Sequence, residues 1–508
     1  YAQQVNTLYF LENAPMRHLI NPAFQPVSNV YVTLPVIGYS SAWVGNNAFT
    51  MKDFIFTDKN GNTITPYHPN ANPDWLAKKP KNTLIDADAY INLFGLGVRI
   101  KDNGYFHLNI SEHIIAGAAT GTNIFGINQL DSGLIGPFNL GANALVYTDF
   151  ALGYSHKIID QWTVGGKFKC LVGQAYVKAN LDNISLAHSM EELHAYGNGN
   201  IVAAAPLQWQ NLPTDVTDLG NIDTEALAGT DYRDWITPAG LGAAFDLGAT
   251  YKPHEQVQIS ASVTDLGFIR WTNLAKGSLS IDTTFTGVEL NYGDYVYEGE
   301  LNQDSLTAHL TNTLNGYADA LNISDIDNNA KPLTRMLTAN LHVGVDANFW
   351  DNRVGVGVHS RTRFYNNVVT EELTLGAAFR PFNWVNIAAS YSFINGHWSN
   401  LGAAISLATY DGIMFTVAAD YIPLSYAKAT FDDKTISLPY KSNKLNVLVG
   451  VTIVTGTNRP RQKVKAEDID NVAIAPVFVD SDNDGIADEF DKCPDTPAEA
   501  QGQVDSVG

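Results

Sequence analysis

From Leu337 onward the chain alternates residue by residue, and no other feature constrains its fold as much. Leu337, Ala339, Leu341, Val343, Val345, Ala347 and Phe349 occupy the odd positions; Thr338, Asn340, His342, Gly344, Asp346 and Asn348 occupy the even ones. A period of two puts an apolar row on one face of an extended strand and a small or polar row on the other. The pattern resumes with Val354, Val356 and Val358, then with Leu373, Leu375, Ala377 and Phe379. It continues through Val385 to Phe393, Leu401 to Leu407, Ile413 to Tyr421 and Leu445 to Ile453. Between these runs stand Trp350-Asp351-Asn352-Arg353, Arg380-Pro381-Phe382-Asn383 and Tyr410-Asp411-Gly412, all good turn formers. Upstream, Ala142 to His156 with Trp162 to Val177, and Leu241 to Tyr251 with Val257 to Leu266, predict two further hairpins.

A soluble β-sandwich also alternates, but three features oppose it. The strands run to about ten residues, longer than the five or six usual in soluble sheets. Aromatic residues gather at strand ends (Phe349, Trp350, Phe379, Phe382, Trp384, Tyr421), like the girdles of a membrane barrel. The non-apolar face is small and polar, as a barrel interior is, and lacks the long charged chains of a solvated sheet face. These observations predict an all-β transmembrane antiparallel barrel. Its short turns near 350–353, 380–383 and 409–412 face the periplasm and its longer loops near 360–370, 394–400 and 422–443 face outward. On that count the chain leaves the barrel on the periplasmic side.

Composition excludes some functions. The net charge is −21 and the isoelectric point about 4.8, with no basic run to engage nucleic acid. Two cysteines, Cys170 and Cys493, do not make a disulfide framework. Cys170 shares a face with Val164, Phe168 and Val172, opposite Lys167 and Lys169, and reads as a small lipid-facing hydrophobe. His342, Asp346, His359 and Arg361 are expected to face the lumen as a polar network. No nucleophile elbow, phosphate loop or transition-metal cluster is present in the sequence, so no enzyme is expected. The insertions Pro206 to Pro238 and Glu289 to Lys331 read as acidic external loops, the first carrying Asp215, Asp218, Asp223, Glu225, Asp231 and Asp234.

The stretch Val479 to Pro497 has a different chemistry. With Asp480 as position 1, carboxylates fall at positions 1, 3, 5, 9 and 12 and Gly485 at position 6. That is the ligand spacing of an EF-hand-type loop. Asp480, Asp482, Asp484, Ile486 (through its carbonyl), Asp488 and Asp491 are the expected calcium ligands, although Asp491 stands where a bidentate Glu is usual. Together with the adjoining "DKCPDTP", Asp480 to Pro497 resembles the thrombospondin type-3-like calcium repeats that join outer-membrane barrels to OmpA-like peptidoglycan-binding domains. The resemblance implies a further domain beyond Gly508 and a partner for Cys493 within it.

At the other end "YFLENAPMRHLINPAFQP", Tyr9 to Pro26, resembles the opening of FadL-like barrels of Bacteroidota. That implies about 14 strands and an N-terminal segment able to plug the lumen. The expected organisation is 1–26 as the N-terminal segment, 27–456 as the outer-membrane barrel, 457–476 as a periplasmic linker and 477–508 as the calcium-binding repeat. The expected function is a non-enzymatic scaffold tethered to peptidoglycan, an accessory subunit of a larger envelope complex such as one assembling barrels. Its expected partners are outer-membrane lipid, peptidoglycan through the further domain, and other envelope proteins. The alternative is a FadL-like transporter or porin for hydrophobic or small solutes. That alternative needs a continuous lumen or a lateral opening; a Gly- or Pro-induced kink in a mid-barrel strand would discriminate it, and none is legible in the sequence.

Overall fold

The computed structural model describes most of residues 5–457, apart chiefly from 58–62, 65–72, 206–237, 286–295, 302–320 and a few residues at loop tips. Beyond that it describes Ser481, Lys492, Cys493, Asp495 and Pro497. The chain divides after Thr457 into two units, and the first of them holds the barrel.

Fourteen strands form a closed antiparallel barrel. Strand β1 is in two pieces, Ser28–Thr33 and Ser40–Asn46; β2 is Asn82–Ile100, β3 Gly104–Gly121, β4 Gly133–Ile159 and β5 Trp162–His188. Strand β6 is also in two pieces, Leu193–Ala204 and Gly240–His254, as is β7, Val257–Trp271 and Leu274–Phe285. Strand β8 is in three, Leu321–Asp327, Leu333–Met336 and Ala339–Phe349. The remaining strands are β9 Val354–Tyr365, β10 Val368–Phe379, β11 Val385–Ile394, β12 His397–Ala408, β13 Ile413–Asp420 and β14 Lys444–Thr457. Closure comes from β1, which pairs with β14 on one side and β2 on the other in both of its pieces. With no free edge in the closed ring, the backbone groups of the wall satisfy one another, as a bilayer demands.

The alternation read from the sequence sorts the two faces. Val343, Val345, Val356, Val358 and Leu375 are exposed on the outside, whereas His342, His359, Thr374, Ser390 and Ser392 are buried inside. Cys170 is exposed with Val164 and Phe168, and Lys167 and Lys169 are buried on the opposite face. Aromatic side chains crowd the end of the barrel where β1 begins and β14 ends. There Trp350 is 74% exposed, Phe382 stacks on Trp384 at 5.7 Å and Trp162 stacks on Tyr251 at 4.7 Å.

Two loop expectations are corrected. Near 360–370 and 394–400 the strands themselves continue, β9 to Tyr365 and β11 to Ile394, leaving only 366–367 and 395–396 between elements. Cross-strand polar pairs such as Ser360 Oγ donating to Glu371 Oε1 at 2.5 Å keep the ladder going past the point where alternation fades. The insertion after Ala204 does not spring from a strand tip. Ala204 lies opposite Tyr176 and Gly240 opposite Gly173, so β6 leaves the wall partway along and rejoins it one step lower. The acidic residues named for this insertion, 215 to 234, lie outside the described residues.

Candidate functional site

The N-terminal segment occupies the inside of the barrel. Two 3-10 turns, Asn6–Phe10 and Pro15–Leu19, are almost wholly buried. Val5, Leu8, Tyr9, Leu11, Met16 and Ile20 are each 2% exposed or less, and burying a side chain of that size contributes about 1.5–3 kcal/mol. Polar anchors tie the segment to strands all round the ring. The Asn6 amide and Thr7 hydroxyl donate to Asp420 at 2.6 and 2.5 Å. The Tyr9 hydroxyl donates to Asp346 at 2.9 Å and meets Ser260 at 3.0 Å. Lys167 Nζ donates to the His18 carbonyl at 2.7 Å, and the Asn21 amide donates to the carbonyls of Ala249 and Ala261.

Glu12 pairs with Arg380 at 3.2 Å and accepts from Asn352 at 3.0 Å. Burial draws the Glu12 carboxyl upward, but Arg380, Arg17 and the Asn352 amide together outweigh it and hold it below the ordinary carboxylate range. The His18 imidazole goes well below its ordinary value, first because it is buried and then because Lys167 and His107 face it.

Inward glycines act as sockets for this segment. A methyl group at Gly344 would strike the Tyr9 hydroxyl, one at Gly376 the Phe10 ring. In sequence these glycines read as ordinary interior small residues; their partner is distant in the chain, so no local signal marks it.

His342, Asp346, His359 and Arg361 all face inward. His342 Nδ1 and His359 Nε2 are 3.1 Å apart, Tyr9 stacks on His359 at 4.5 Å, and Arg361 pairs with Glu372. A second cluster lies on β5, β6 and β7. Lys169 Nζ bridges Asp246 at 2.9 Å and Asp265 at 2.6 Å. Asp265 is aimed there by a bulge in β7, where the register slips between Phe245/Leu266 and Leu247/Val263, and its φ of 59° lies in the left-handed region. The sequence reading of this strand as a regular hairpin arm missed the bulge.

The wall itself is broken at β1. Thr33 lies opposite Thr452 and Ser40 opposite Val449, so residues 34–39 face only Gly450 and Val451. The surplus, around Pro35, bows out of the ladder. Val36 has φ 66°, and Val36 and Ile37 are 55% and 54% exposed on the outer face. Its cross-strand ties are the Val36 amide to Asn92 O at 2.8 Å, the Asn92 amide to Tyr39 O at 3.0 Å, the Val451 amide to Ile37 O at 2.8 Å and the Thr452 hydroxyl to Gly38 O at 3.4 Å. Pro35 has no amide hydrogen to give a ladder, so it is tolerated only at such a bulge. The interruptions in β6 and β7 differ, because Trp271, fully buried and stacked on Tyr176 at 5.4 Å, seals them with Leu274 and Ala204.

Among the described residues no group of three His, Cys, Asp or Glu stands close enough to hold a metal ion. The expected calcium ligands Asp480, Asp482, Asp484, Ile486, Asp488 and Asp491 lie outside the described residues.

The barrel fold has counterparts among known proteins. One family profile, described as a family of unknown function (DUF5723), matches residues 22–420. The chain belongs to the DUF5723 family. No curated protein matches it. Solved structures resemble this DUF5723 chain in fold at low identity. The Ralstonia pickettii toluene transporter TbuX is 9% identical with a TM-score of 0.40, covering 87% of this chain and 94% of its own. The P. putida toluene transporter TodX is 10% identical with a TM-score of 0.41, covering 88% and 95%. A Pseudomonas aeruginosa FadL homologue is 12% identical with a TM-score of 0.42, covering 89% and 98%. What this DUF5723 chain shares with them is the all-β barrel fold.

An expectation is corrected here. The structures alike in fold include two toluene transporters, and the reading of a non-transporting scaffold tied to peptidoglycan is set aside. Sequence patterning cannot separate the two, since a scaffold barrel and a transport barrel need the same alternation.

Proposed function

We propose that this barrel is a non-enzymatic channel for small hydrophobic solutes, which leave the lumen sideways through the break in β1. The observation that carries the reading is the bulge at residues 34–39. It is a Pro-containing gap in an otherwise hydrogen-bonded wall, apolar on its outer side and backed by Tyr39 on its inner side. The N-terminal segment blocks the axial route, so an apolar solute entering from outside has a shorter path to the bilayer than to the periplasm. The connections at 101–103, 160–161, 255–256, 350–353, 380–384 and 409–412 are all short and lie at the end where β1 begins. The long connections 47–81 and 421–443 lie at the other end, and long loops mark the outward end of such barrels, so on this reading the tail after Thr457 lies in the periplasm.

A staple across the break tests the proposal. In a protein with Cys170 and Cys493 replaced by Ser, Ile37→Cys with Val451→Cys brings two thiols to adjacent strands. Toluene uptake into proteoliposomes is expected to fall at least severalfold on oxidation and to return on reduction. Uptake indifferent to the staple removes the lateral route.

A further inference from the structure

A small cavity in the lumen borders both the N-terminal segment, through Leu19, and the inner side of the β1 break, through Tyr39. It measures about 40 Å³, room for about three water molecules or one small headgroup. Its lining joins aromatic rings, those of Tyr39, Trp43 and Tyr90, to charged groups.

The charges are not all committed. Two cations line the space, Lys169 and Arg361, and both are already matched: Lys169 lies between Asp246 and Asp265, and Arg361 is paired with Glu372. Asp149 is different. One of its oxygens takes the His113 Nε2 hydrogen at 3.2 Å, and the other, Oδ1, has no partner. A carboxylate can only accept, so His113 presents an Nε2 hydrogen to it. The Tyr39 hydroxyl and His342 Nε2 are unpartnered as well. All four of these side chains are more than nine-tenths buried. A buried carboxylate oxygen left without a donor is costly, and aromatic faces beside it favour a cation. With both lining cations matched, an anion would find no free positive charge among the described lining groups.

We propose that this cavity is a headgroup subsite for a primary ammonium group carried on an apolar body, held by Asp149 Oδ1 with the rings of Tyr39, Trp43 and Tyr90 around it. The inference rests on the channel reading for its meaning: the head is held in the lumen while the apolar body lies toward the β1 break. It narrows the cargo from hydrophobic solutes at large to amphipathic amines.

The test measures binding alone, so its failure is separable from failure of the lateral route. The purified full-length protein is titrated with n-butylammonium, n-butyrate and 1-butanol by calorimetry, in detergent. The ammonium is expected to bind at least about tenfold tighter than either isostere, the scale of one charge-assisted hydrogen bond. Asp149→Asn is expected to abolish that preference and leave 1-butanol unchanged, whereas Asp282→Asn on the exposed part of β7 changes nothing. Should Asp149→Asn not fold, Tyr39→Leu serves instead and is expected to weaken the ammonium severalfold. Equal binding of the three probes, a preference for butyrate, no binding of the ammonium, or an ammonium affinity indifferent to these substitutions overturns the subsite. A selective ammonium site in a barrel whose staple leaves uptake unaltered keeps the subsite and removes the channel reading.

Discussion

At the scale of single residues, the interior is organised by what glycine leaves out. Gly376 lies in β10 with its missing side chain filled by the Phe10 ring, and Gly344 does the same for Tyr9. Both contacts join residues more than three hundred positions apart, so they report on docking of the N-terminal segment and on little else. Gly376→Val puts two methyl groups where the ring sits. Overpacking of this kind costs about 1–3 kcal/mol, so the segment is expected to detach roughly tenfold more often. Protease clipping within residues 5–26 of the intact barrel reads that population. Clipping no faster than in the parent would show that Phe10 has room to move and that the socket is not tight.

At the scale of elements, the N-terminal segment is a latch whose strength depends on acid. The His18 ring lies against His107 at 4.2 Å between centroids, bonds the Tyr31 hydroxyl at 2.8 Å and has Lys167 beside its own carbonyl. Burial first, then Lys167 and the neighbouring His107, depress its proton affinity well below the ordinary value. Once detached, His18 takes a proton near its usual pKa of about 6.5. Docking therefore has its full strength above that pH and weakens as pH falls below it, by up to about 1.4 kcal/mol per unit for this one group. Clipping of the segment is expected to rise as pH drops from about 7.5 to about 5.5, either side of that ordinary value, and His18→Gln is expected to flatten that rise. A pH-independent parent would mean that the docked ring accepts a proton without leaving.

At the scale of the whole molecule, the wall has to sit at one depth in the bilayer. Trp350, Phe382 and Trp384 mark one rim, and Val345, Val358, Leu375 and Tyr391 form an outward belt some four residues above it, each paired with the next across the strands. An arginine costs about 2–4 kcal/mol at the bilayer midplane and about 0–1 near an interface. Val358→Arg is accordingly expected to lower the folding free energy in lipid vesicles by the larger amount, and Trp350→Arg by the smaller. Equal costs at the two positions would move the belt out of the hydrocarbon. The depth also sets the meaning of the β1 break, since a gap outside the hydrocarbon releases nothing into it.

Sequence alone sufficed for the barrel, its two faces and the apolar rows of its strands between Leu337 and Ile453, because a period of two is a local property and one apolar row needs lipid on one side. It also placed His342, Asp346, His359 and Arg361 on the inner face, since parity along a strand decides which way a side chain points. It could not reveal where strands continue past the apolar rows, because there cross-strand pairs such as Ser360 with Glu371 hold the ladder. Nor could it reveal the break in β1: Pro35 and Gly38 have the chemistry of a turn, and only the register against β2 and β14 shows the chain returning to the same place in the wall. The bulge at Asp265, the glycine sockets and the cavity beside Asp149 were decided by tertiary structure. Each depends on residues from separate strands meeting inside a closed ring, and closure is a property of all fourteen strands at once.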